Sequence, residues 1–325
     1  MSSAAPDASA ETLPAANLRR ARPKPAGGAD VSSGGPDDWL WRWVTFSPAL
    51  LMMLLLSVLP LVNLFLTSFY NVTWTNGLPS WSLVGVDNYN ELAHDELLGA
   101  GLFNTLVFAI FAVGGQMLFG FVLALLCCRV TRGRILYRTI FILPILVPGI
   151  VVGAIWKLLL NFDFGLVNQL IALIGIEPMN WLGAKATALA SVIFVDIWHW
   201  TPFCFLLFLA GLESLPQDVY EAGKIDGATI WQELRYITLP MMLPAIMVTF
   251  AFRLVTAFKV FDEVYLLTGG GPGTSTEVLS FTLYQRFFRQ DRTGYGASMS
   301  IFIIFLVCIL LVMALSARKR VSAPA

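Results

Sequence analysis

Two groups of polar residues carry this chain's capacity for chemistry. The first lies in "RLVTAFKVFDE": Arg253, Thr256, Lys259, Asp262 and Glu263, set inside a long apolar run. Thr256, Lys259 and Glu263 follow one another at i, i+3 and i+7, which a helix places on one face. Lys259 also stands three and four residues before Asp262 and Glu263, the spacing at which opposite charges pair on a helix and lower their cost of burial. Asp262 lies about 100° from Glu263 around the helix and points elsewhere. Such a face offers donors and acceptors to a hydroxylated solute; the alternative is a structural ion pair against a second subunit. The second group is "DIWHWTP", with Asp196 and His199 at i and i+3, then Thr201. Asp196 and His199 suit either a proton relay or a buried pair that satisfies itself. Trp198 and Trp200 suit either stacking on a sugar ring or anchoring at a membrane interface.

Catalysis and metal binding find no support. The two histidines are His94 and His199, and no paired-acid or Ser-His-Asp spacing includes them. The four cysteines, Cys127, Cys128, Cys204 and Cys308, lie in apolar runs without a C-x-x-C pair, and read as small buried hydrophobes. No catalytic, cofactor-binding or metal site is expected. A G-x-x-x-x-G-K-[ST] phosphate loop is also missing: before Gly223-Lys224, Asp218 stands where the first glycine belongs. Uphill transport by this chain therefore needs a partner or an ion gradient.

The elements that must position these residues are membrane helices. The 325 residues are 57% hydrophobic and 13% charged, against about 25% charged in a soluble domain. Six apolar runs are long enough to cross a hydrocarbon core, at residues 44–70, 105–128, 139–160, 188–212, 240–267 and 295–315. Pro144 and Pro148 predict a kink in the third, and Asn104 reads as the cap of the second. The zero net charge gives nucleic acid no electrostatic hold. Lys and Arg in the loops number 14 on the side holding both termini and 4 on the other, so both termini are expected in the cytoplasm. Residues 1–38, rich in Ala, Pro, Gly and Ser, read as a disordered cytoplasmic tail, and 39–325 as the membrane domain.

Between the fourth and fifth runs, on the cytoplasmic side, stands a polar segment at 213–239. Pro216 fits a first helical position, Gln217, Asp218 and Glu221 suit the first turns, and a second helical piece fits 229–236. Gly223 and Gly227, at i and i+4, suit a close approach by another surface or a sharp bend. Leu239-Pro240 is read as the stop before the fifth span. On its own the segment is either a connector lying on the membrane or a helix that docks into a cytoplasmic partner and passes movement to the adjoining spans.

"EAGKIDGATIWQELRYITLP" resembles the Glu-Ala-Ala loop of ABC importer permeases. Glu221, Ala222, Asp226, Gly227, Ala228, Leu239 and Pro240 match its pattern, and Gly223 departs from its third alanine while keeping the small size. "NTLVFAI", "RTIFILPILVPGIVVGAIW", "GLVNQL", "WHWTPFCFLLFLAGLESLPQDVYEA" and "AFKVFDEVYLLTGGGP" extend the resemblance, from about residue 40 on, to the sugar permeases of the maltose and glycerol-phosphate type. The resemblance implies an all-α, six-span permease subunit of a binding-protein-dependent carbohydrate importer in a bacterial inner membrane. It would pair with a second permease. Glu221, Ala222, Gly223, Asp226, Gly227 and Ala228 would engage a groove on one of two cytoplasmic ATP-binding cassette subunits, which bind the ATP and magnesium. A solute-binding protein would deliver the sugar outside. Span five just before the G-G-P lies near the sugar site in that family, which favours Arg253, Thr256, Lys259, Asp262 and Glu263 as the solute path. An ion-coupled carrier using the charges of spans four and five is the other class of function compatible with the residues.

Overall fold

The computed structural model describes residues 36–75, 78–130 and 132–321. The tail expected over 1–38 lies outside them, except for residues 36–38, which open the first helix. Helix α1 is Pro36–Thr67. The chain forms two compact units, Met1–Leu59 and Pro60–Ala325. The first is, among the described residues, the helical stretch that begins at Pro36.

In the second unit, strands β1 (Tyr70–Thr75) and β2 (Leu78–Leu83) pair antiparallel with Tyr70 opposite Leu83. The helices are α2 (Asp87–His94), α3 (Glu96–Arg129), α4 (Arg134–Leu146), α5 (Gly149–Leu159), α6 (Leu166–Leu173) and α7 (Lys185–Glu213). There follow α8 (Gln217–Ile225), α9 (Ile230–Ala257), α10 (Asp262–Leu267), α11 (Leu279–Tyr284) and α12 (Thr293–Val321). Among the described residues, five helices are long and apolar enough to cross a membrane, and α4 with α5, bent by 93°, counts as a sixth if the pair is one broken span rather than a re-entrant loop. Five of the six expected spans are found as single long helices, while the third is the bent pair and the fifth ends at a break after Ala257.

Proline sets the bend. Pro148 pushes Val147 out of the helical region, to φ −83° and ψ 127°. At Pro240 the expected stop is not there. A proline inside a helix clashes with the carbonyl four residues back. Here the turn Glu233–Thr238 is wide, with Leu239 N–H bonding the Leu234 carbonyl five residues back, and α9 passes through. The interruption comes later. α9 ends at Ala257, residues 258–261 are non-helical, and α10 restarts at Asp262. The Ser280 hydroxyl donates to the Val260 carbonyl that this break releases, as a backbone in an apolar setting requires.

α3 and α7 form the central pair of the core. Gly120 permits it: a Cβ there would stand 2.6 Å from the Cys204 Cβ and 2.9 Å from the Phe205 nitrogen. Cys127 and Cys204 are buried and Cys128 is partly so, whereas Cys308 is exposed on the outward side of α12, contrary to the buried reading. All four are free thiols.

Asn104 is not a cap. It lies inside α3, buried, and its amide donates to the carbonyls of Thr274 and Glu277 at 2.8 Å each. The cap of α3 is Asp95, which accepts from Leu97 N–H at 2.9 Å and Leu98 N–H at 3.4 Å. Asp95 also accepts from the Tyr295 hydroxyl at 2.6 Å and from Arg286 at 2.9 Å, tying α3 to the start of α12. Burial pushes the Asp95 carboxyl upward, but these bonds and the Arg286 charge outweigh it and hold the group below the usual carboxylate range.

Candidate functional site

The five polar residues of the fifth span line one cavity of about 180 Å³, together with Asp196, His199 and Trp200 of α7 and Gly149 at the start of α5. α9 supplies Arg253 and Thr256, the break supplies Lys259, and α10 supplies Asp262 and Glu263. The break changes the geometry expected from one helical face. Thr256 and Glu263 sit on different helices, and the cavity joins them only because the chain folds between them.

Arg253 is 1% exposed and every bond around it is made. Its Nε donates to Gln116 Oε1 at 2.7 Å, Nη1 to Thr256 Oγ1 at 2.8 Å and Nη2 to Asp196 Oδ2 at 3.2 Å. Gln116 Nε2 in turn donates to Asp196 Oδ2 at 2.6 Å and to the Asp196 carbonyl at 3.1 Å. The guanidinium carbon lies 4.4 Å from the centroid of the Trp200 ring, a cation–π distance. A buried charge demands such pairing. Arg253 is therefore a tie between α3, α7 and α9 as well as a cavity wall.

His199 faces Glu263 Oε1 with Nδ1 at 3.2 Å and the Val147 carbonyl with Nε2 at 3.0 Å. A carbonyl only accepts, so Nε2 carries a hydrogen. The Nδ1–Glu263 bond then requires one more proton, shared by the imidazole and the carboxyl. This tie links α7, α10 and the bend between α4 and α5. Asp196 and His199 are thus both satisfied, though not by each other as their spacing suggested.

Lys259 forms no ion pair among the described residues, so the pairing with Asp262 or Glu263 expected from spacing is not made. Its side chain is exposed at the cavity. The Asp262 carboxylate lies over the start of α5, where a Cβ on Gly149 would stand 2.9 Å from Oδ2. A helix N-terminus favours an anion there. Thr201 spends its hydroxyl on the Ile197 carbonyl at 2.6 Å and does not line the cavity. Trp198 packs edge-on against Trp156 at 5.5 Å, also away from it. Gln116 is the residue that the sequence reading passed over. An uncharged amide inside an apolar run carries the same signal as a charge, because neither is buried in a membrane without a partner.

In the segment at 213–239, α8 starts one residue after Pro216 and buries no side chain. Gly227 has φ +76°, open to glycine at no steric cost. The helix closes there with Ala228 N–H on the Gly223 carbonyl at 2.9 Å and Gly227 N–H on the Lys224 carbonyl at 3.1 Å. Gly223 is where a neighbour approaches: a Cβ would stand 2.9 Å from Ile237 Cδ1. Glu221, Ala222 and Asp226 face solvent, Ala228 is half-buried, and Thr229 with Gln232 forms a reciprocal cap for α9.

Residues 116–319 match the family described as the binding-protein-dependent transport system inner membrane component. The trehalose/maltose transport system permease protein MalF of Thermococcus litoralis is 34% identical, the match covering 80% of this chain and 87% of the relative. The sulfoquinovosyl glycerol transport system permease protein SmoG of Agrobacterium fabrum is 32% identical over 81% of this chain and 85% of its own. The crystal structure of a bacterial ABC transporter involved in import of the acidic polysaccharide alginate contains a chain of the same fold, with TM-score 0.77, 24% identity and coverage of 88% and 97%. A helical, multi-span chain with a polar cavity at a broken helix is the architecture of a transport permease. The chain belongs to the family of inner-membrane components of binding-protein-dependent transport systems and is a permease subunit of an ABC importer. An ion-coupled carrier is set aside by that membership.

Proposed function

We propose that this permease conducts a sugar or sugar derivative. The observation that carries the reading is the cavity. It presents the Lys259 ammonium and the Asp262 carboxylate beside the Phe261 ring, a mixture of apolar face and directional polar groups that suits a ring of hydroxyls. The names of the relatives, a trehalose/maltose permease and a sulfoquinovosyl glycerol permease, support the same class. At about 180 Å³ the cavity is smaller than the ~300–1,000 Å³ usual for a ligand site. A second permease facing it would complete the enclosure, with an extracytoplasmic binding protein supplying the solute.

The drive comes from two ATP-binding cassette subunits, which hold the ATP and magnesium, with both termini of this chain on their side of the membrane. The docking element is α8 and its closing turn, with Glu221, Ala222, Gly223, Asp226, Gly227 and Ala228. The absence of buried residues on α8 and the exposure of Ile225, Ile230 and Trp231 (85%, 65% and 69%) favour a protein cover.

The test uses the complete complex in proteoliposomes. Sugar uptake should stop without ATP and ignore ionophores; ATP-independent uptake driven by an ion gradient would overturn the reading. Glu221→Lys should reduce co-purification of the ATPase subunits while the permease still inserts. Unchanged co-purification would remove α8 from the contact.

A further inference from the structure

A second cavity, of about 360 Å³, opens where the end of α5 meets α10, α11 and the turn Gln285–Arg289. Lys157, Tyr265, Phe281, Tyr284, Gln285 and Arg289 line it, and no carboxylate does. Lys157 has no ion pair among the described residues. The Arg289 side chain is exposed and lines the cavity beside Tyr284 and Tyr265. Two cations, an amide and aromatic rings line a common space.

This cavity is joined to the first by aromatic side chains. Phe261 lines the first cavity. Its ring stacks on Tyr265 at 5.3 Å and 21°, and meets Tyr284 edge-on at 5.1 Å. Tyr265 and Tyr284 are 5.6 Å apart and both line the second cavity. Phe261, Tyr265 and Tyr284 thus form one aromatic cluster that touches both cavities. Under the orientation proposed above, α5 ends and α11 lies toward the outer face.

We infer that the second cavity is a distinct binding site for an anionic carbohydrate, a sugar ring bearing a carboxylate or sulfonate, met before the first cavity. This rests on the sugar-transport reading. The two cations take the acidic group, Arg289 through its planar fork. The rings take the apolar face of the sugar, and Gln285 and the tyrosine hydroxyls take its hydroxyls. The first cavity lacks this selectivity, because its carboxylates offset its cations. The second cavity therefore decides which sugars reach the first.

The experiment uses the permease pair in nanodiscs of phosphatidylcholine, with glucuronate and glucose as probes and saturation-transfer difference NMR as the readout. Glucuronate should bind more tightly than glucose. Lys157→Gln/Arg289→Gln, two exposed positions whose exchange leaves the core intact, should weaken glucuronate by about tenfold or more and leave glucose nearly unchanged. Equal binding of the two probes, or glucuronate binding that survives the double substitution, overturns the inference. So does loss of glucuronate binding when phosphatidylglycerol replaces part of the lipid, which would make a lipid headgroup the occupant. ATP-driven uptake by the complete wild-type complex is measured alongside. Its failure would sink the transport reading, whereas intact uptake without glucuronate binding would sink this inference alone.

Discussion

Asp196→Ala strands the buried Arg253 guanidinium, and the structure sets the cost. The charges meet at 3.2 Å, which at an effective dielectric of ~20 corresponds to about 5 kcal/mol. Three partners remain after the change. Gln116 still accepts from Nε at 2.7 Å and Thr256 from Nη1 at 2.8 Å, and Trp200 still lies 4.4 Å from the guanidinium carbon. They offset part of the loss, leaving about 3–5 kcal/mol of destabilisation, the range for breaking one side of a buried pair. Arg253→Met leaves Asp196 with Gln116 alone and should cost a similar amount. The double variant Asp196→Ala/Arg253→Met removes both charges and puts an apolar side chain into the space. It should unfold closer to the wild type than either single variant does. Unfolding of the reconstituted complex by titration with sodium dodecyl sulfate measures all three. Single-variant costs that add in the double to within ~0.5 kcal/mol would refute the reasoning, since independent sites add and a mutually neutralising pair does not.

Lys259→Ala should change solute-stimulated ATP turnover while leaving assembly intact, because the ammonium is exposed at the cavity and tied to no acid; unaltered stimulation would make Lys259 structural. Glu263→Gln should keep the tie to His199, since an amide donates to Nδ1 of the Nε2–H tautomer without the shared proton, whereas Glu263→Ala should lose it. Equal melting temperatures for the two variants would count against the tie between Glu263 and His199. Asp95 gives a pH signature. Its carboxyl is held below its ordinary value, so its contribution is present above the unfolded value near pH 4 and is lost as pH falls through the lower folded value. Melting curves from about pH 5 down to about pH 3 should show a smaller acid loss for Asp95→Asn than for the wild type; identical losses would remove Asp95 as the cause.

The spans were legible because an apolar run of sufficient length has few other uses, and Pro148 marked the bend in advance. The break after Ala257 was not legible. No proline or glycine stands there, and the carbonyl it frees is satisfied by Ser280, twenty residues on. The hairpin of β1 and β2 was missed for a related reason: "YNVTWT" and "LPSWSL" are too short and mixed to show a period against the spans around them. At the cavity, composition chose the residues and spacing misjudged their partners. Asp196, His199, Lys259 and Glu263 each lie within pairing distance along the sequence of another of the four. The partners that Asp196, His199 and Glu263 take come from other helices, because in a packed bundle the helix across the interface is as near as the next turn. Asn104 failed in the same way: at the head of an apolar run it imitates a cap, but α3 begins at Glu96 and carries it into the core.

The error at Pro240 bears most on how the permease works. Had the chain stopped there, the segment at 213–239 would hang from the fifth span by a loose joint. Instead α9 is continuous over 28 residues from Ile230 to Ala257, a rod of about 40 Å at 1.5 Å per residue. At one end the Tyr220 hydroxyl of α8 meets Thr238 Oγ1 at 3.0 Å, and Ile237 closes on Gly223. At the other end Arg253 and Thr256 form the cavity wall. Under the docking proposed above, a force on α8 from an ATPase would reach the cavity through a helix that is unbroken to Ala257, with Pro240 and Pro244 inside it. The helix breaks at residues 258–261, of which Lys259, Val260 and Phe261 line the cavity. Arg253 holds the moving side to α3 and α7, and Glu263 holds the far side to His199. Because Asp196 and His199 both belong to α7, the two sides of the break are tied to one helix, and the distance across it at Lys259 changes only when the Arg253–Asp196 or Glu263–His199 tie yields. The wide turn at Glu233–Thr238 lets Pro240 into α9 without ending the helix.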